Sequence, residues 1–339
     1  MSKTIILITG GGAPGGPGII KSLKMNRENY VITCDVNPCA TGAKFSDDFF
    51  CSLPAADNGF KEFMLAKIKD LGIDIVVPLV TSELEKWSEI MLEQKIPILA
   101  PAQELISKLN NKFYFLEFCK EIGLPTVSYL KTDNGNFLIN YVKEYHKYQR
   151  YCVVKPCESN GSRGVGIIDS RSRSIDSFIF DKPNSLMLDF YVFEEMFSGV
   201  EIPNYLVMDY LPGHEITCDI LVQSRQLIHC FMRKRTKITS GISTAGEFIN
   251  DKNILEFCST FANNIDYNGV LGIQFKEKDG QYYPIECNPR LQGTSVAANG
   301  LGYNLPQLAV DCLLERASPF LVSDKNLKFA RYYEELFWT

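Results

Sequence analysis

The chain has 339 residues, 45% hydrophobic and 22% charged, with a formal net charge of −5. That length allows two or three domains, each with its own core, and a mildly acidic balance without a basic cluster argues against a nucleic-acid partner. Eleven cysteines without a CxxC pair and three scattered histidines predict reduced thiols in the cytoplasm, not a disulfide framework or a histidine-based metal site.

In chain order, Ile5–Thr9 is a continuous apolar strand of the buried parallel kind. Helix over 18–25, strand over 30–34, helix over 60–71, strand over 73–79, helix over 84–93 and a short strand over 96–100 follow. This alternation predicts a parallel sheet with helices on both faces across residues 1–107. Pro101 can start a helix, and Gly123 with Pro125 stops the next one. From Tyr151 onward strand-like runs dominate, with Asp279–Gly280 as a hairpin turn, so an α+β unit of antiparallel strands is expected. "LKTDNGNF" and "IDSRSRSIDSF" read as loops. No apolar run is long enough to span a membrane, and a signal peptide is not expected.

The first strand runs into "TGGGAPGGPG", where Gly10, Gly12 and Gly15 fit G-x-G-x-x-G and Asp35 ends the second strand. This is the spacing of a dinucleotide fingerprint, and an NAD-dependent oxidoreductase is the alternative it supports. Pro14 and Pro17 remove two N–H donors from the loop, and no hydride-transfer constellation follows. A glycine turn before a helix can instead face a substrate carboxylate or phosphate around Gly12, or be a plain tight turn.

A denser pattern lies downstream. Lys155 closes the apolar strand "YCVVKP", where a buried ammonium calls for an anion such as phosphate. "ESNGSRGVGI" follows, with Gly161, Gly164 and Gly166 punctuating a turn whose backbone N–H groups can wrap phosphates. "YLVMDYLPGHEITCDILV" offers backbone at Asp209–Leu211 for an adenine edge, and Glu215 for ribose hydroxyls. "GIQFKEKDGQYYPIECNPR" places Gln274 on one hairpin arm and Glu286 and Asn288, two residues apart, on the other. Three oxygen ligands with one charge suit Mg²⁺ that is also held by ATP phosphates. Arg290 follows on the same side and can touch a transferring phosphoryl group.

Together these four features, with "NNKFYFLEFCKEIGLPTV" and "IECNPR", resemble the ATP-grasp superfamily, specifically carbamoyl-phosphate-synthase-like ligases. The resemblance covers nearly the whole chain. It implies an N-terminal Rossmann-like pre-ATP-grasp domain over 1–107, a small lid part of the ATP-grasp domain over 108–190, a large part over 191–325, and a tail over 326–339. By matching position, Lys112 and Lys155 would contact ATP phosphates. Ser159–Val165, including Gly161, Ser162 and Gly164, would cover them. Asp209 and Leu211 would hold adenine and Glu215 ribose. Gln274, Glu286 and Asn288 would coordinate Mg²⁺, and Arg290 with Lys155 would act on the phosphoryl group. Arg233, Arg235, Gly293, Thr294 and Ser295 are further candidates near the substrate. The implied activity is ADP-forming ligation of a carboxylate to an amine, with ATP and Mg²⁺. The implied partners are small molecules, and a homodimer is admitted. A nucleotide-binding sensor of the same fold is the non-catalytic alternative. The chain holds one ATP-grasp unit, without the paired halves of carbamoyl phosphate synthase.

Overall fold

The computed structural model describes residues 3–148, 150–159, 163–169, 186–239, 241–316 and 326–338. The chain groups into two compact units, one of Met1–Asn110, His214–Phe275 and Glu286–Thr339, the other of Asn111–Gly213 and Lys276–Ile285.

In the first unit, β1 (Thr4–Thr9), β2 (Asn29–Asp35), β3 (Asp48–Cys51) and β4 (Ile75–Pro78) form a parallel sheet in the order β3-β2-β1-β4. The two-residue period of β1 puts Ile6 and Ile8 in one core with Ile19, Ile20 and Leu23 of helix α1 (Gly16–Lys24). It puts Leu7 in the other, with Phe60 and Met64 of α2 (Phe60–Leu71) and Trp87 of α3 (Leu84–Glu93). Both faces are covered, which is why the strand is apolar throughout. The strand expected over 96–100 does not form. Pro97 supplies a carbonyl to Val76 but has no N–H to give, and the pairing stops at a single bridge between Val76 and Ile98. The short strand β3, with only its two central residues half-buried, leaves no periodic signal.

A six-stranded sheet follows in the order β14-β13-β10-β11-β12-β15. Its members are β10 (Glu215–Gln223), β11 (Gln226–Thr239), β12 (Ile242–Ile249), β13 (Gly269–Lys278), β14 (Gln281–Asn288) and β15 (Lys328–Ala330). Helix α8 (Lys252–Asn263) buries Ile254, Phe257, Cys258 and Phe261, spaced i, i+3, i+4 and i+7, and Asp251 caps it by accepting from the Ile254 N–H at 3.0 Å.

The second unit holds a five-stranded sheet in the order β5-β9-β6-β7-β8. It is built from β5 (Tyr129–Asn134), β6 (Cys152–Pro156), β7 (Gly166–Asp169), β8 (Met187–Asp189) and β9 (Glu201–Asp209). Its pairings are antiparallel except β7 with β8, which is parallel. Leu138, Ile139 and Val142 of α6 (Gly135–Lys147) and Phe190 and Phe193 of α7 (Phe190–Phe197) pack on Val154, Ile168 and Val207. "LKTDNGNF" is therefore a strand end and a helix start, not a loop. Asn134 sits at the N-cap and accepts from the Phe137 N–H at 2.9 Å, so an Asn-Gly pair that reads as a turn starts α6. The other expected loop runs largely through residues outside those described. The turn at Asp279–Gly280 forms as expected, with φ of 54° and 78°.

Helix α5 (Lys112–Glu121) is capped by Asn111, which accepts from Phe113 and Tyr114 N–H at 3.0 and 3.2 Å and donates to Glu158 Oε1 at 2.7 Å. Asn111→Ala removes all three bonds. Its unfolding free energy, measured by urea titration, should fall by about 1–2 kcal/mol. Asn111→Asp, which keeps the cap and loses the donor, should lie between that variant and wild type.

Candidate functional site

The second unit carries the lysines. Lys112 is buried at the start of α5. Its Nζ donates to the carbonyl and hydroxyl oxygens of Ser159, at 2.9 and 3.4 Å, and its backbone N–H donates to Cys157. Lys155, also buried, donates from Nζ to the Ile285 carbonyl at 2.9 Å. Ile285 directly precedes Glu286 in the chain. The two ammonium groups thus sit at both ends of one short segment, 155–159, that enters the glycine-rich turn. Gly161 and Ser162 lie outside the described residues. Gly164 has φ +71°, and a Cβ there would come within 2.7 Å of Pro156 and 2.9 Å of the Tyr205 hydroxyl. Val165 is half-buried behind it.

Asp209 and Leu211 have their side chains committed elsewhere. The Asp209 carboxylate accepts from the Tyr145 hydroxyl at 2.8 Å and pairs with Lys278 at 3.3 Å. Leu211 is buried with Val127 and Met208. What this stretch can still offer a ligand is backbone.

The first unit carries the oxygen donors. Asn288 Nδ2 donates to Glu286 Oε1 at 3.2 Å, and both side chains are half-buried on β14. Gln274 is half-buried on β13, with its oxygen 3.5 Å from an Arg235 nitrogen. Glu215 is ion-paired with Arg235, which also donates to the Gly241 carbonyl at 2.6 Å. Arg290 donates from Nε to the Thr81 hydroxyl and from a terminal nitrogen to the Leu291 carbonyl, both at 2.9 Å. Burial lowers its pKa from the usual guanidinium value, and Glu286 opposes that shift. The donor set Gln274, Glu286 and Asn288 is all oxygen with a single carboxylate, and its chemistry fits a hard cation that shares its charge with phosphates.

Arg233 and Arg235 stand in the run "FMRKRTK". It continues β11, and Arg233 is 1% exposed, ion-paired with Asp219, itself 0% exposed. Gln292 donates to the same carboxylate at 2.8 Å, and Arg233 lies 3.3 Å from the Thr294 hydroxyl. Ser295 accepts from the Gln292 N–H at 2.9 Å. The Nε atoms of Arg233 and Arg235 are buried with no hydrogen-bond partner among the described residues. Asp219 and Gln292 were not among the sequence candidates. An acid inside "ITCDILV" is a legible signal, whereas Gln292 and Thr81 carry none.

The N-terminal glycine turn meets the same segment. A Cβ on Gly15 would stand 2.6 Å from Gly293 Cα, so this glycine makes room for backbone of the same unit. The Gly12 N–H donates to Asp35 Oδ2 at 2.8 Å, and Asn37 N–H to its other oxygen at 2.9 Å. The carboxylate that a dinucleotide reading would give to ribose is bound to its own loop.

A model of the family described as "ATP-grasp in the biosynthetic pathway with Ter operon" matches residues 201–332. The chain carries an ATP-grasp domain. The arginine-specific large chain of carbamoyl phosphate synthase from Geobacillus stearothermophilus is 22% identical over 247 residues, 69% of this chain and 21% of that protein. The chain thus spans about a fifth of the length of the curated relatives it matches. N5-carboxyaminoimidazole synthetase from Staphylococcus aureus, solved with ADP, superposes with a TM-score of 0.72 at 15% identity, over 94% of this chain and 79% of that one. An L-amino acid ligase from Bacillus licheniformis gives 0.66 at 14% identity, over 92% and 75%. The fold is that of ATP-grasp ligases, with an N-terminal parallel sheet ahead of antiparallel sheets. Among the described residues no helix is long and apolar enough to cross a membrane.

Two buried acids of the first unit give measurable outcomes. Arg233→Met leaves Asp219 buried and uncompensated, and should cost about 3–5 kcal/mol in urea unfolding, while Arg233→Met with Asp219→Leu should recover much of that loss. Glu83 accepts from the Thr9 hydroxyl and from the Trp87 indole at 3.2 Å; burial raises its pKa above the ordinary 4.5, against those two bonds and with a small push from Asp35. The folded protein therefore keeps this proton to higher pH than the unfolded chain. Its stability should fall as pH rises from about 4.5 through the raised folded value and stay lower above it. Glu83→Gln should flatten that slope in melting curves recorded across this range.

Proposed function

We propose that the chain is an ATP- and Mg²⁺-dependent ligase that activates a carboxylate as an acylphosphate and joins it to an amine, releasing ADP and phosphate. The observation that carries this reading is the pairing of two donor sets in chain order. Buried ammonium groups of Lys112 and Lys155 flank the glycine-rich turn, and the oxygen set of Gln274, Glu286 and Asn288 is followed at once by the half-buried guanidinium of Arg290.

In this reading Lys112 and Lys155 hold ATP phosphates, and Ser159–Val165 covers them. Backbone at Asp209 and Leu211 meets adenine, and Glu215 meets ribose. Glu286, Asn288 and Gln274 hold Mg²⁺, which supplies charge neutralisation on the phosphates when bound. A carboxylate oxygen attacks the γ-phosphorus, the bond to the β–γ bridging oxygen breaks, and Arg290 offsets charge on the transferred group. The amine then attacks the acyl carbon and phosphate leaves. No protein nucleophile is needed, because positioning the reactants can supply roughly 7–11 kcal/mol of barrier lowering.

Arg233, beside Thr294, and Arg235, beside Gln274, each have a buried Nε without a partner among the described residues, which supports an anion-binding role for this region and for Ser295 next to Thr294. Gly293 directly precedes Thr294 in the chain and packs against Gly15, in the glycine turn that also holds Gly12, and an amino-acid or peptide carboxylate suits this region. We carry the division at 107, 190 and 325, cytoplasmic location and small-molecule substrates as parts of the same proposal. A homodimer is compatible with it. The commitment of Asp35 to its own loop disfavours the NAD reading.

Pairwise screening of amino acids for ADP release tests this directly. At least one acid–amine pair should stimulate release that needs Mg²⁺. Glu286→Gln and Lys155→Met should each lower kcat by about 100-fold or more with unchanged melting temperature. Full activity in folded Glu286→Gln would overturn the metal assignment, and ATP binding without turnover for any pair would favour the sensor.

A further inference from the structure

Three cysteines that the ligase chemistry does not use meet inside the first unit. On β10 and β11, Cys218 lies opposite Met232 and Cys230 opposite Ile220, so the two thiols project to one face of the sheet, diagonal to each other. Cys258 belongs to the buried stripe of α8, with Ile254 and Phe261. The three sulfurs lie within 4.8 Å of one another. Among the described residues no other three histidine, cysteine or acidic side chains come together this way.

We propose that Cys218, Cys230 and Cys258 form a three-thiolate site for a soft d¹⁰ metal cation. A metal–thiolate bond of about 2.3 Å sets the sulfurs of a trigonal site roughly 4 Å apart, so shifts of an ångström or less would close it. The donor set is sulfur alone. The neighbouring acid, Asp219, alternates to the other face of β10, where Arg233 and Gln292 occupy it. All-sulfur ligation selects against Mg²⁺ and Ca²⁺ and for thiophilic ions. A disulfide would use two sulfurs and strand the third; a metal ion uses all three. Cys218 and Cys258 are fully buried, and Cys230 is the least covered, which makes its side the entry route. A bound ion would tie β10, β11 and α8 together and stabilise the folded state in proportion to its affinity.

The test uses the full chain, reduced, with the exposed Cys39 and Cys51 replaced by serine. Cd²⁺ titration should give ultraviolet thiolate-to-metal charge transfer that saturates at one equivalent, with a higher melting temperature. Mg²⁺ should give neither. Cys230→Ser and Cys258→Ala should each lose the tight band. On the unmutated trio, ¹¹³Cd NMR should show one resonance in the sulfur-ligated range, which keeps the proposal testable if either variant unfolds. A band that survives Cys230→Ser undiminished, no saturable band, or a resonance in the oxygen-ligated range would each overturn it.

Discussion

The ion pair of Arg233 and Asp219 is the constraint on which the first unit's chemistry depends. Both side chains are buried, and isolated charges at that depth would be prohibitive. Their pairing is therefore obligatory, and it recruits neighbours. Gln292 donates to the same carboxylate, and Thr294 lies beside the same guanidinium. Gly272 on β13 has no side chain where the Gln292 amide lies, and a Cβ there would come within 1.9 Å of its nitrogen. The polypeptide just after Asn288 and Arg290 is thereby fixed against β10, β11 and β13. In the proposed reading Glu286 and Asn288 would hold Mg²⁺, and this network gives their strand a rigid neighbour to keep those oxygens aimed.

The same segment accounts for the N-terminal glycines. Gly15 is small because Gly293 backbone occupies the space a side chain would need. Asp35 is satisfied by the N–H groups of Gly12 and Asn37. A loop that matches a dinucleotide fingerprint letter by letter is thus, in part, a packing surface for the segment after β14. The motif tells how close backbones approach and does not tell which partner makes the approach. Here the approaching group is protein.

Sequence periodicity was most informative where one physical signal dominates. The continuous apolar run at Ile5–Thr9 reports a strand covered on both faces, and both cores are present. Asp279–Gly280 reports a left-handed turn because few other residue pairs adopt it. Legibility failed where one signal has two structural uses. Asn134–Gly135 reads as a turn and serves as a helix cap. "RKRTK" shows only a run of cations, yet Arg233 faces the interior because a β-strand alternates, and the acid that makes this tolerable, Asp219, lies on the neighbouring strand. Thr81 meets Arg290 across 209 residues of sequence, a contact no local pattern encodes. The oxygen donors and lysines were visible as residue types; their partners were not.

We propose that residues around 155 and 286 serve one magnesium nucleotide. Isothermal titration calorimetry of the full chain with ATP, with and without Mg²⁺, and with NAD, addresses it most directly. One ATP site per chain is expected, with an affinity that falls when Mg²⁺ is withheld or Lys155 is changed to Met, and no heat from NAD. Saturable binding of NAD, or ATP binding indifferent to both Mg²⁺ and Lys155, would contradict it.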